Sequence, residues 1–334
     1  MEADERTTKT RLPRWIRDPA RRRGVLRVAG LVVGLGLFAV AIHFAMRERE
    51  EFARALAALR DPPPAAVALV LGSILVGALL TALLFHILMR RFARIPFWEM
   101  AAIIAASTVA NYLPLKPGFV GRVAYHRVRH GIRATHTLRT ILEAIALSGT
   151  VASLFLLSLL ALRALARQGF TLWGHPIEGE LALLAPSVLG LGVFVPRLRT
   201  LAQALLVRQG ELALWTVRYW AVFQLVGAPV ELETAIVLGS VSVIATLIPG
   251  ISNGFGVREF VIGFLAPWIS QDGVSTPEAV VAELVHRAAE LTVMVPLGLA
   301  SIYGLFRHNT RLALANAAAS PDSDARPDDR PGDA

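Results

Sequence analysis

AAVALVLGSILVGALLTALLFHILM, the stretch from Ala65 to Met89, runs for 25 positions without Asp, Glu, Lys or Arg. About 20 apolar residues in a helix cross a hydrocarbon core roughly 30 Å thick, so this stretch is long enough to span a membrane. Its flanks agree: Asp61 and three prolines precede it, and Arg90, Arg91 and Arg94 follow it. Composition points the same way. The 334 residues are 54% hydrophobic and 18% charged, with mean hydropathy +0.54, against about 45–50% apolar and about 25% charged in soluble proteins. An all-α, polytopic integral membrane protein is expected, which excludes a soluble nucleotide-binding or nucleic-acid-binding body. The net charge of +9 does not call for nucleic acid, because the basic residues are confined to particular loops. The chain has no Cys, so disulfides, thiolate nucleophiles and Cys-ligated metals are ruled out.

Working outward, residues 1–27 carry nine basic and four acidic side chains ahead of the apolar run Val28–Met46. That run meets Arg47-Glu48-Arg49-Glu50 instead of a small-residue cleavage site, so it reads as an uncleaved first span. Positive-inside bias makes 1–24 a basic cytoplasmic segment. Ala65–Met89 then returns to the cytoplasm. Were Trp98–Leu115 a full span, Arg122, Arg127, Arg129, Arg133 and Arg139 would face outside, against the same bias. A re-entrant hairpin over about 98–133, entering and leaving on the cytoplasmic side, accommodates them. A span at about 137–162 leads to an external loop, 163–180, with two Arg and two Glu. Leu181–Val195, interrupted by Pro186, returns to Arg197, Arg199 and Arg208. Glu211–Val230 crosses outward to Glu231 and Glu233, and a second hairpin over about 234–269 enters and leaves from outside. Pro277–Phe306 crosses inward to Arg307 and Arg311, and 307–334 reads as a disordered cytoplasmic tail.

The two membrane repeats, 25–162 and 181–306, therefore share one order in opposite orientations. The count is about six full spans and two re-entrant helical hairpins; the charge pattern leaves eight full spans as the alternative. Inverted repeats with broken helices at corresponding places put a transport site near the midplane, at the repeat interface.

The breaks themselves read Asn111-Tyr-Leu-Pro-Leu-Lys-Pro-Gly-Phe-Val-Gly-Arg122 and Ala245-Thr-Leu-Ile-Pro-Gly-Ile-Ser-Asn-Gly-Phe-Gly-Val-Arg258-Glu259. Pro114 and Pro249 stop the entering limbs, while Gly118, Gly121, Gly250, Gly254 and Gly256 permit tight turns and close approach. Each exit limb starts inside the membrane with free N–H groups and the positive end of its dipole. Arg122 and Arg258 add a full charge and a planar donor fork suited to carboxylate or phosphate. Two such ends converging make an anion site.

The second break resembles the Pro-x-x-x-x-Gly-x-Gly-x-Arg-Glu pattern of the lysylphosphatidylglycerol synthase transmembrane family, the flippase-like membrane half of multiple peptide resistance factors. Pro249, Gly254, Gly256, Arg258 and Glu259 match it; Asn111, Pro114, Gly118 and Arg122 match the first motif. Glu143 and Arg287 stand where that family carries charged residues. Phe119 departs from the pattern, which commonly has Glu after the glycine. The resemblance implies lipid handling. Synthase activity is not expected, since only 28 polar, low-complexity residues follow Phe306.

Charges at membrane depth point to function with a nearby partner. Arg258 and Glu259 lead the candidates, followed by Arg122, Lys116, Glu143, Arg218 and Arg287. Helical neighbours diverge by about 100°, so Arg258 and Glu259 are expected to pair elsewhere, with Glu143, Glu283, Arg287 and Glu290 as opposite numbers. The rival reading of Arg258 is a buried ion pair clamping the hairpin, and that of Arg122 a snorkelling interface residue. His126 and His130 have metal-ligand spacing, but Arg127 and Arg129 alongside would repel a cation. No catalytic motif, cofactor or metal is expected. The leading function is a flippase-like translocator of an anionic phospholipid or glycolipid in the plasma (inner) membrane, with both termini cytoplasmic. The alternatives are a secondary transporter of a small organic anion and a non-transporting scaffold. Expected partners are membrane lipids, with a second copy or an envelope-lipid biosynthetic enzyme as further options.

Overall fold

The computed structural model describes residues 28, 32, 35–43, 46–47, 49–113, 117–172, 175–176, 178–248, 252–270 and 273–318. Pro114, Lys116, Pro249, Gly250 and the segment 1–24 lie outside the described residues. Apart from a two-residue antiparallel pair, Thr171–Leu172 with His175–Pro176, the described secondary structure is helical.

After a short charged helix, α1 (Arg49–Ala58), α2 (Pro64–Met89) begins on a proline. Its missing N–H would be unpaired in the first turn anyway. At 26 residues α2 is about 39 Å long. Helices α5 (Ala134–Arg167, 34 residues) and α10 (Thr276–Ala318, 43 residues) are longer still. Among the described residues these three helices, α10 over Thr276–Leu305, are long and apolar enough to cross a membrane. The chain is therefore a helical membrane protein. Its outward apolar residues fit that solvent: Leu138, Leu142, Leu157 and Leu160 of α5 are all more than half exposed.

Both breaks interrupt helices where the prolines and glycines predict. The first separates α3 (Phe97–Ala110) from α4 (Pro117–His130), the second α8 (Leu232–Leu247) from α9 (Val257–Ile269). Between them runs α7 (Arg199–Leu225), which packs along α2 at the centre of the molecule. Several of the other contacts map onto one another when the halves are exchanged. Helix α3 packs on α10 as α8 packs on α5; α2 meets α3 as α7 meets α8; and α4 lies on α5 as α9 lies on α10. Buried Ile74, Phe223, Leu238, Ile262 and Met294 join α2, α7, α8, α9 and α10 in one core. Leu88, Met100, Ile104 and Ile141 join α2, α3 and α5 in another.

Two sequence expectations need correction. Leu181–Val195 is no continuous span: a 3-10 turn at Gly179–Leu184, a six-residue helix α6 (Ala185–Gly190) and a second 3-10 turn at Leu191–Phe194 divide it. Pro186 sits in the first turn of α6 and glycines follow at 190 and 192, so regular i→i−4 pairing cannot persist. Helix α7 also begins at Arg199, twelve residues before the expected Glu211. Its first turns, carrying Arg199, Gln203 and Arg208, are helical because α2 and the 179–194 segment pack against them, not because they are apolar.

Candidate functional site

A cavity of about 550 Å³ opens where the two breaks approach each other, between α2, α3, α4, α5, α7 and α8. That size suits a small-molecule or headgroup site. Ile141, Ile145 and Ser148 of α5 form one wall, and Val243 and Leu247 of α8 continue it. Phe85 of α2 and Phe119 of α4 add aromatic surface, while Asn111 and Asn253 reach in from the breaks. Arg122, Arg208, Glu211 and Glu290 supply charge.

Arg122 lies in the second turn of α4 and is only 4% exposed. Its Nε and Nη1 have no hydrogen-bond partner, and no carboxylate among the described residues pairs with it. The guanidinium carbon sits 4.3 Å from the centre of the Phe85 ring. Such a contact contributes about 2 kcal/mol when desolvated, whereas burying one ion costs several kcal/mol. The ring does not offset the burial. Asn111, at the C-terminal end of α3, adds a buried Oδ1 that also lacks a partner. Gly118 brings the two limbs together: a Cβ there would stand 2.0 Å from the Ser107 carbonyl oxygen and 2.7 Å from Asn111 Oδ1. The snorkelling reading of Arg122 is thereby overturned, because the side chain ends inside the protein.

The other charges facing the cavity are neutralised. Arg208 Nη1 pairs with Glu211 Oε2 at 2.6 Å, and Thr81 donates to Glu211 Oε1 at 2.8 Å. Arg218 lies outside this cavity's lining and is tied to α2 by neutral groups: its Nε donates to Ser73 Oγ and its Nη2 to the Ser73 carbonyl, both at 3.0 Å.

Arg258 is where the matched-pair expectation fails. It is fully buried and does not line the cavity, and although its Nε and Nη1 make no hydrogen bond, two carboxylates compensate its charge. Its Nη2 lies 2.7 Å from Glu283 Oε1, its Nη1 3.5 Å from Glu290 Oε2, and Nη2 also donates to His286 Nδ1 at 2.8 Å. Tyr219 donates to Glu283 Oε2 and joins Ser242. Glu259 does not pair with its neighbour; its Oε2 accepts the Gly256 N–H at 2.7 Å and its Oε1 faces Arg287 Nη2 at 3.2 Å. Arg287 also donates to the Asn253 carbonyl at 3.3 Å. Asn253, Gly254 and Gly256 hold left-handed backbone, with φ of 47°, 71° and 79°, a conformation glycine adopts freely. This network locks the second break to α10. Asn253, Glu290, and Trp215 with Arg258 at 5.1 Å from its ring carry it to the cavity wall.

Glu143 stands apart from this network: it pairs with Arg91, and with Arg139 at 2.9 Å, away from Arg258. His126 and His130 face Thr137 and Glu99 respectively. Sequence reasoning missed Tyr219, His286, Phe85 and the Arg208–Glu211 pair. A signal existed for one of them: Glu283, His286, Arg287 and Glu290 recur at helical spacing within an otherwise apolar stretch, marking one polar stripe on α10.

The geometry defines a class: a helical membrane protein whose internal cavity is lined by a buried guanidinium, Arg122, with no carboxylate partner among the described residues. A scan against known protein-family models gives no match for this chain, and a search of characterised proteins finds no similar sequence.

Proposed function

We propose that the chain is a flippase-like translocator of an anionic lipid, related to the lysylphosphatidylglycerol synthase transmembrane family, and works in the plasma membrane with both termini cytoplasmic. The observation that carries this is Arg122, a buried guanidinium with two unpartnered nitrogens facing a 550 Å³ cavity. A site built this way is completed by an anionic oxygen. Of the cations lining the cavity, Arg208 has a carboxylate and Arg122 has none, so the chemistry favours a single negative charge. The buried Asn111 Oδ1 calls for a hydrogen-bond donor, which a headgroup hydroxyl supplies.

Alternating access fits the exchangeable contact pattern of the halves, with α3–α4 and α8–α9 as re-entrant hairpins among the spanning helices. Trp98, at the start of α3, and Trp268, near the end of α9, are 73% and 88% exposed. Tryptophan favours membrane–water interfaces, and hairpins inserted from opposite sides place these two at opposite interfaces.

The test is leaflet exchange of labelled lipids in liposomes containing the purified chain. Anionic phosphodiester lipids should exchange, and Arg122→Gln should slow them by roughly ten- to hundredfold, the worth of charge-assisted hydrogen bonds. Exchange that is equally fast for the Arg122→Gln protein would overturn the proposal. Uptake of a soluble organic anion in place of lipid exchange would establish the transporter alternative.

A further inference from the structure

Arg122 borders a second space. About 260 Å³ lies between α3, α4 and the end of α10, bounded by Ile103, Ala106, Ala110, Gly121, Ile302 and Leu305. Its two other polar side chains are already satisfied: Ser107 Oγ donates to the Ile103 carbonyl at 2.6 Å, and Tyr125 donates to Glu99 at 2.8 Å. Arg122 is thus the one group at this groove, among the described residues, with hydrogen-bonding capacity to spare. A small, wholly polar anion would occupy the cavity and leave the groove unused. An amphiphile uses both.

Resting on the lipid reading above, we infer that the groove between α3, α4 and α10 is an acyl-chain subsite, so that the ligand is an anionic amphiphile with its head on Arg122 and a hydrocarbon chain along Ala106, Ala110 and Ile302. Small residues on α3 and α4 make the room. The alanines and Gly121 leave a channel where larger side chains would close the hairpin onto α10. Charge complementarity at Arg122, the residue that lines both the groove and the central cavity, fixes which way the amphiphile lies. The chain gains little affinity from the groove, since bilayer lipid is equally apolar. What the groove supplies is register. It keeps the chain in an apolar surround while the head sits at a buried cation.

Gly121 provides the test. A Cβ there meets nothing within 4 Å, so the backbone admits a side chain, and Gly121→Leu puts apolar bulk at the wall of the groove; leucine also favours helix. An anionic lipid with a photoactivatable acyl chain, and its zwitterionic counterpart, would be crosslinked to the full chain in liposomes. The anionic probe should label the peptides containing Ile103–Ala110 and Ile302–Leu305, at least fivefold more than the zwitterionic probe. Gly121→Leu and Arg122→Gln should each abolish that preference, with folding checked by melting temperature. Three results would overturn the subsite: labelling indifferent to headgroup charge, labelling unchanged in Gly121→Leu, or equal protection by a water-soluble glycerophosphodiester lacking chains. Normal labelling without leaflet exchange would instead keep the subsite and defeat translocation, so the two proposals fail separately.

Discussion

Arg258 stands among Glu283, Glu290, Tyr219 and His286 with no exposed surface, whereas Arg122, at the corresponding place in the first break, faces the ring of Phe85 and the cavity. These surroundings predict opposite mutant behaviour. Arg258→Ala leaves buried Glu283 without an ion-pair partner and Glu290 with Arg287 alone, and should lower stability by about 3–5 kcal/mol, read as a fall in melting temperature and in folded yield. Arg122→Gln removes an unpaired buried charge and should leave the melting temperature unchanged or raised, while exchange is lost. Equal destabilisation by both substitutions would contradict this division of labour. Phe119 offers a second test at the same scale. It lines the cavity beside Arg122, where the resembling family commonly carries Glu. Phe119→Glu should supply Arg122 with an internal counter-ion, preserving folded protein while suppressing binding of a labelled anionic lipid.

At the scale of the elements, the α3–α4 hairpin depends on how closely its limbs approach. At Gly118 even a methyl group would meet the Ser107 carbonyl at 2.0 Å, yet three positions on, at Gly121, it would meet nothing. Gly118→Ala should therefore force the limbs apart and sharply reduce folded protein in detergent. Gly121→Ala should be neutral or stabilising by up to about 1 kcal/mol, the difference in helix propensity. A thermal-stability comparison of the two checks this. Much of the element plan was legible: long apolar runs gave α2, α5 and α10, and Pro and Gly marked both breaks. The start of α7 was not, because Arg199 to Glu211 looks like a polar loop. The register of 179–194 was missed too, since an apolar run does not show that Pro186 and two glycines will divide it.

For the whole molecule, the exchangeable contacts of the two halves are the pattern an inverted pair would leave: α3 on α10, α8 on α5, and α2 against α7 between them. Inverted insertion makes a prediction independent of any transport assay. The chain has no native cysteine, so single cysteines report cleanly. One at Gln271 should react with an impermeant maleimide from outside the cell, and one at Arg133 only after the membrane is opened. Labelling of both from one side would rule out opposed hairpins.

Composition and periodicity were enough to establish a helical membrane protein, because the bilayer forces long apolar segments to hydrogen-bond within themselves. The break motifs were enough to locate the candidate charges Arg122, Arg258 and Glu259, since buried ions in such segments are rare. Which of them is free was decided only in three dimensions. Arg122 and Arg258 look alike along the chain, but their counter-ions would have to come from helices far away in sequence. Helix α10 brings Glu283 and Glu290 to Arg258 and none to Arg122. Pairing of buried charges is a property of packing, and among the described residues packing brings no carboxylate to Arg122 at the cavity.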